Sequence, residues 1–222
     1  MVIFGKRRQQ EQVTCFKIYI MSVFNLITQN ENLDNKIVAG LERLSQVFKV
    51  LLWEKAKEYS LSPIQIQLLI FIHNHTQEKS TVSYLAKEFN VTKPTISDAV
   101  RILEAKNMIE KSTDLNDSRS YTILLTEIGK RIVIETEDFP NPVTKIISQT
   151  SESDKEIIWK SISDLIIGLN KSHIIDIQRT CYNCKFYSQV GSEHFCDLLV
   201  MKLEDRDIRI DCPEFHDKSM AY

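Results

Sequence analysis

The stretch VSYLAKEFNVTKPTISDAVRILEAKNM, Val82 to Met108, decides the fold. Its first half sets Leu85, Ala86 and Phe89 on one helical face, and its second half sets Ile96, Val100 and Leu103 on another. Only Asn90, Val91 and Thr92 lie between. Asparagine tolerates the left-handed backbone that ends a helix, valine plugs the angle between two helices, and threonine supplies an N-cap oxygen. Two short helices joined so tightly predict a helix-turn-helix. The second helix opens Thr-Lys-Pro-Thr-Ile-Ser-Asp-Ala-Val-Arg, with small hydroxyl and basic side chains at the end that enters a major groove.

Downstream, Met108 to Lys111 and Ser120 to Leu125 predict two strands, the second rich in β-formers. The polar loop between them carries Asp117 and Arg119. A hairpin after a reader helix is a wing, and an arginine on it is suited to a narrow minor groove. Asp117 would either stiffen the loop by holding Arg119 or orient its guanidinium toward DNA.

Upstream, Ser62, Pro63 and Gln65 form a capping-box start for a helix running to about His73. His73 and His75 are expected to be ordinary helix-end residues. Before that, Ile37, Leu41, Leu44, Phe48, Leu51 and Leu52 mark a long amphipathic helix over 34–59, longer than a small core requires. Past the wing, Thr126 is expected to cap a helix that Pro140 and Pro142 break. Ser153 to Glu156 would open a final long helix bearing Ile157, Ile158, Ile162, Leu165, Ile166 and Leu169.

Residues 34 to 170 resemble a MarR-type winged-helix regulator. The likeness lies in Leu61-Ser62-Pro63 to Phe71, in Leu85-Ala86 through Thr92 to Ser97, and in Asn116 to Ser120 followed by Leu125-Thr126-Glu127-Ile128-Gly129-Lys130. A second basic residue often follows the wing arginine in that family; here Ser120 stands there. The resemblance implies a homodimer built from interleaved N- and C-terminal helices, acting on a pseudo-palindromic operator of double-stranded DNA. On this expectation Thr92, Lys93, Thr95, Ser97 and Arg101 face groove and phosphates, with Arg119 on the wing.

The net charge of −2 does not advertise nucleic-acid binding, and residues 79 to 131 hold nine Lys/Arg against seven Asp/Glu. DNA affinity must therefore come from placed cations rather than a global field. No clean export signal or membrane span is legible, which predicts a cytoplasmic protein. Met21 is the expected start of the ordered chain, with residues 1 to 20 disordered or untranslated and Cys15 an incidental thiol.

Past Arg179 the composition changes. Cys181, Cys184, Cys196 and Cys212 fall within the last 42 residues, with eleven residues between the middle pair and fifteen between the last. Four soft ligands in a segment too short for its own core predict a metal-stabilised module over 179–222. Zinc is the first expectation and an iron–sulfur cluster the alternative, the latter favoured by the single Cys-x-x-Cys, the Cys-Pro ending and the aromatics Phe186, Tyr187, Phe195 and Phe215. A disulfide or free thiols remain open, and His194 and His216 are spare ligands or surface residues.

The expected architecture is thus mainly helical with a small β-hairpin wing: residues 21–178 form the winged helix with dimerisation helices, followed by the cysteine module. The expected function is DNA-binding transcription regulation, with metal or redox sensing through the cysteines and an effector that the sequence does not name. A metal- or redox-dependent enzyme is the rival, although no acid/base pair, nucleophile constellation or phosphate loop appears. A winged-helix protein-interaction module is another, distinguished by the absence of salt-dependent DNA binding.

Overall fold

Helix boundaries follow the local caps closely. In the computed structural model, residues 22–114, 117–176 and 178–218 are described. Expectations for residues 1–20, Cys15 included, fall outside them, as do the wing tip at 115–116 and the side chains of 114 and 117–120, hence the Asp117–Arg119 pairing. The chain divides into two units after Val47. The first, from residue 22, holds α1 (Leu26–Glu31) and the start of α2 (Leu33–Glu58). Asn25 caps α1, its Oδ1 accepting the N–H groups of Ile27 and Thr28. Ile37, Leu41 and Leu44 are exposed on α2.

The second unit, 48–218, begins with the remainder of α2, which buries Leu52 and Ala56. Helix α3 (Pro63–Asn74) starts as the capping pattern predicts: Pro63 takes the first position, and the Ser62 N–H donates to Gln65 Oε1 at 2.9 Å. Helices α4 (Val82–Glu88) and α5 (Lys93–Ala105) form the helix-turn-helix. Asn90 has φ +50° and the Val91 N–H closes the turn onto the Ala86 carbonyl at 3.0 Å. The Thr95 N–H donates to Thr92 Oγ1, so Thr92 is the N-cap.

Strands β1 (Ile109–Asp114) and β2 (Asp117–Leu125) pair antiparallel with Ile109 opposite Leu125, both longer than their sequence pattern predicts. The Ile123 N–H donates to the Ser80 carbonyl at 2.8 Å, tying the wing to the segment before α4. The core joins Ile66, Leu68, Leu69, Leu85, Ile96, Leu103, Ile123 and Val133, all essentially inaccessible. Truncating any one of these aliphatic side chains to alanine costs about 2–5 kcal/mol where the cavity does not collapse.

Helix α6 (Glu127–Thr136) is capped by Thr126, which accepts the Gly129 N–H and donates to the Asn107 carbonyl at 2.6 Å. The prolines do more than break it. They open a further helix, α7 (Asn141–Ser148), with Pro142 in its first turn, where a missing N–H costs nothing. Helix α8 (Glu152–Lys171) begins before Ser153, because Ser151 Oγ takes the Asp154 N–H as the cap.

The C-terminal segment, for which the sequence suggested no strands, is a short 3-10 turn at Cys181–Asn183 followed by the antiparallel meander β3 (Tyr187–Val190), β4 (Glu193–Cys196) and β5 (Met201–Leu203). Its own core is small: Cys181, Leu203 and Ile208. Trp159 Nε1 of α8 donates to the Asp205 carbonyl at 2.8 Å, holding the meander to that helix. Among the described residues no helix is long and apolar enough to cross a membrane.

Candidate nucleic-acid interface and cysteine cluster

Helix α5 separates its faces cleanly. Ile96, Ala99, Val100 and Leu103 are buried, whereas Thr92, Lys93, Thr95, Ser97 and Arg101 are all exposed. Thr92 Oγ1 and Thr95 Oγ1 lie 2.8 Å apart at the helix start, one hydroxyl donating to the other. Hydroxyls at the start of a helix, beside the Lys93 ammonium, suit an acceptor such as a phosphate oxygen or a base edge. Arg101 pairs with Asp98 at 3.2 Å, with both side chains largely in solvent. Such a pair contributes at most about 1 kcal/mol, so exchanging it for a phosphate is easy.

The wing is braced against the reader. Lys111 Nζ on β1 reaches Glu104 Oε2 of α5 at 2.5 Å and sits over the Tyr121 ring. Arg119 belongs to β2 by its backbone. Behind the wing, a Cβ added at Gly129 would stand 2.0 Å from the Met108 carbonyl oxygen. Glycine is there because α6 presses directly on the backbone that leads into β1.

Cys181, Cys184, Cys196 and Cys212 line one apolar cavity of about 20 Å³ with Phe186 and Leu203. All four are free thiols. The Arg209 N–H donates to Cys181 Sγ at 3.3 Å, and Arg209 Nη1 to Cys212 Sγ at 3.5 Å. Burial pushes the Cys181 thiol pKa up. Among the described residues no three His, Cys, Asp or Glu side chains stand close enough as they are to hold a metal ion. His194 bonds the Tyr187 hydroxyl and His216 the Glu214 carbonyl, and neither lines the cavity.

Sequence reasoning missed a third feature. Arg179 is only 6% exposed, and its five N–H donors are all used. Nη1 and Nη2 grip the Glu88 carboxylate of α4 at 2.6 and 3.1 Å, and Nε and Nη2 grip Asp211 at 2.6 and 2.7 Å. Nη1 also donates to the Tyr84 hydroxyl at 3.0 Å, and the guanidinium lies over the Phe71 ring. Burial by itself lowers the pKa of Arg179, but the hydrogen bonds to Asp211 and Glu88 prevail and hold it above its usual range. At Asp211 burial acts to raise the pKa, and the bonds from Arg179 and His75 outweigh it to depress it. His75 Nε2 lies 2.8 Å from Asp211 while its Nδ1 meets the Phe71 carbonyl, so this histidine is a bridge to the cysteine segment and not an idle helix end. The partners are scattered through the sequence, and no periodicity could have marked them.

Residues 59–120 match the family model described as MarR family. Transcriptional regulator AdcR of Streptococcus pyogenes serotype M6 is 23% identical over 140 residues, which span 61% of this chain and 93% of that protein. The crystal structure of the Staphylococcus aureus MepR–DNA complex is similar at TM-score 0.53 and 26% identity, covering 60% of this chain and 97% of that one. MepR in a DNA-binding conformation is similar at TM-score 0.53 and 25% identity, covering 60% and 98%. A MarR transcriptional regulator from Methanosarcina mazei Go1 shares the fold at 20% identity and TM-score 0.52, covering 63% and 98%. The relatives are thus matched nearly end to end, and the rest of this chain has no counterpart in them.

Proposed function

We propose that this chain, whose winged helix-turn-helix is similar to that of MarR-type transcriptional regulators, acts on double-stranded DNA as a homodimer over a pseudo-palindromic operator. The observation that carries this reading is the exposed first turn of α5, where Lys93 and the paired hydroxyls of Thr92 and Thr95 stand clear of the core. Ser97 and Arg101 extend that surface along the helix, and Arg119 adds a cation from the wing. The likeness to MepR in complex with DNA supports DNA as the partner.

Dimerisation is supported by apolar surface that one chain leaves uncovered. On α8, Ile157, Ile158, Ile162, Leu165 and Leu169 are exposed, and on α2 so are Ile37, Leu41, Leu44 and Phe48. Apolar residues recurring along one helix are what a second copy would cover. The C-terminal cysteines extend the reading to sensing: they would hold zinc or an iron–sulfur cluster and report metal or redox state to the reader.

Selection of bound duplexes from a random pool, followed by anisotropy titration at several salt concentrations, tests the function. A recovered inverted repeat bound by two chains, with affinity falling steeply as salt rises, is the expected result. No enrichment, or binding without salt dependence, would leave a protein-interaction module instead.

A further inference from the structure

We infer that Cys181, Cys184, Cys196 and Cys212 form a site for a thiophilic metal, and that its loading is transmitted to the helix-turn-helix through the guanidinium of Arg179. The inference rests on the regulator reading above and supplies its ligand chemistry and its route.

Ligand chemistry follows from the cavity. Four thiols face one apolar space, accompanied by two N–H···S hydrogen bonds from Arg209. Soft sulfur donors select zinc or iron–sulfur chemistry over hard cations, and N–H donors to sulfur stabilise the thiolates that such ligands require. The meander around them has a core of three buried residues, too little to order it alone. Metal bound there would contribute directly to the folding of the segment, with release of the thiol protons. The thiols would either draw inward on a single ion or be bridged by a cluster.

The route follows from chain connectivity. Arg179 lies two residues before Cys181, and Asp211 is the neighbour of Cys212. The two stretches run side by side: the Cys212 N–H donates to the Arg179 carbonyl at 3.1 Å, and the Cys181 N–H to the Arg209 carbonyl at 3.2 Å. The backbone that positions two of the thiols therefore also positions the guanidinium and one of its two carboxylates. The other carboxylate is Glu88, at the end of α4, one turn of chain before the reader helix. Hydrogen bonds weaken steeply with misalignment, so a shift of about 1 Å in the cysteine stretches loosens the grip on α4. Helix α4 packs on α5, so a loosened α4 would alter how α5 is presented.

Full-length protein, stripped by chelator under anaerobic conditions, is reloaded with Zn²⁺ alone or with Fe²⁺ and sulfide. Metal analysis, visible absorption, thiol titration, DNA affinity and amide hydrogen exchange over 82–89 are read on each form. One ligand should bind at a fixed ratio and remove four thiols from titration: zinc without colour, or iron with labile sulfide and a visible band. Loaded and stripped protein should differ about tenfold in DNA affinity, an ordinary size for coupling between two sites. Exchange over 82–89 should slow on loading. Glu88→Gln should load the same metal at the same ratio yet lose most of both differences. Absence of metal at any fixed ratio overturns the site. Loading that leaves exchange over 82–89 unchanged overturns the route. Failure to bind DNA in either form overturns the regulator reading, and the exchange measurement still decides the transmission.

Discussion

Arg179 and Glu88, 91 positions apart in sequence, form a two-pronged ion pair in which Nη1 and Nη2 each reach a separate carboxylate oxygen. The pair joins the cysteine segment to the first helix of the helix-turn-helix. Arg179→Met leaves Glu88, itself mostly buried, without a counter-ion, and should cost about 3–5 kcal/mol of stability in urea unfolding. A double-mutant cycle with Glu88→Gln should return a coupling of about 0.5–3 kcal/mol. Additive single losses would mean that the two side chains are neighbours without being energetically linked.

Gly129→Ala is expected to be destructive for so small a change. The new methyl would overlap the Met108 carbonyl, which is main chain and cannot rotate away. A loss of about 1–3 kcal/mol, the range for overpacked cores, should appear as a lowered Tm, with the wing displaced from α5. An unchanged Tm would require that α6 slide without penalty.

On the DNA side, Arg119→Ala should weaken operator binding by about 1–3 kcal/mol while leaving unfolding unaltered. Lys93→Ala should instead weaken all sequences alike and reduce the salt slope by about one. Anisotropy titrations of each variant against operator and scrambled duplex separate the two roles. Equal affinity of Arg119→Ala and the parent at physiological salt would assign Arg119 to loop stiffening.

Assembly should fail when the uncovered apolar surface is charged. Leu165→Glu on α8, or Leu41→Glu on α2, places a carboxylate where the proposed dimer would bury it, at a cost of several kcal/mol. Light scattering should show monomer, and DNA affinity should drop in step. A parent protein that is monomeric at concentrations well above those used for binding would remove the basis of this expectation.

Local chemistry was legible in the sequence wherever neighbouring residues suffice to decide the outcome. Asn90 and Thr92 announced the turn, Ser62-Pro63 and Gln65 the start of α3, and Thr126 the cap of α6, because caps and left-handed positions involve partners within a few residues. The buried face of α5 followed from its 3.6-residue period for the same reason. The final helix is capped two residues before Ser153, because Ser151 Oγ is the atom that accepts the Asp154 N–H. What only the tertiary structure decided was longer in range. The Gly129–Met108 contact, the His75–Asp211 bond and the burial of Arg179 between Glu88 and Asp211 bring together residues with no common period. A charged side chain shows in sequence only as a charge. Whether it is solvated or clamped depends on which distant carboxylates the folded backbone brings within hydrogen-bond reach, and that is fixed by packing.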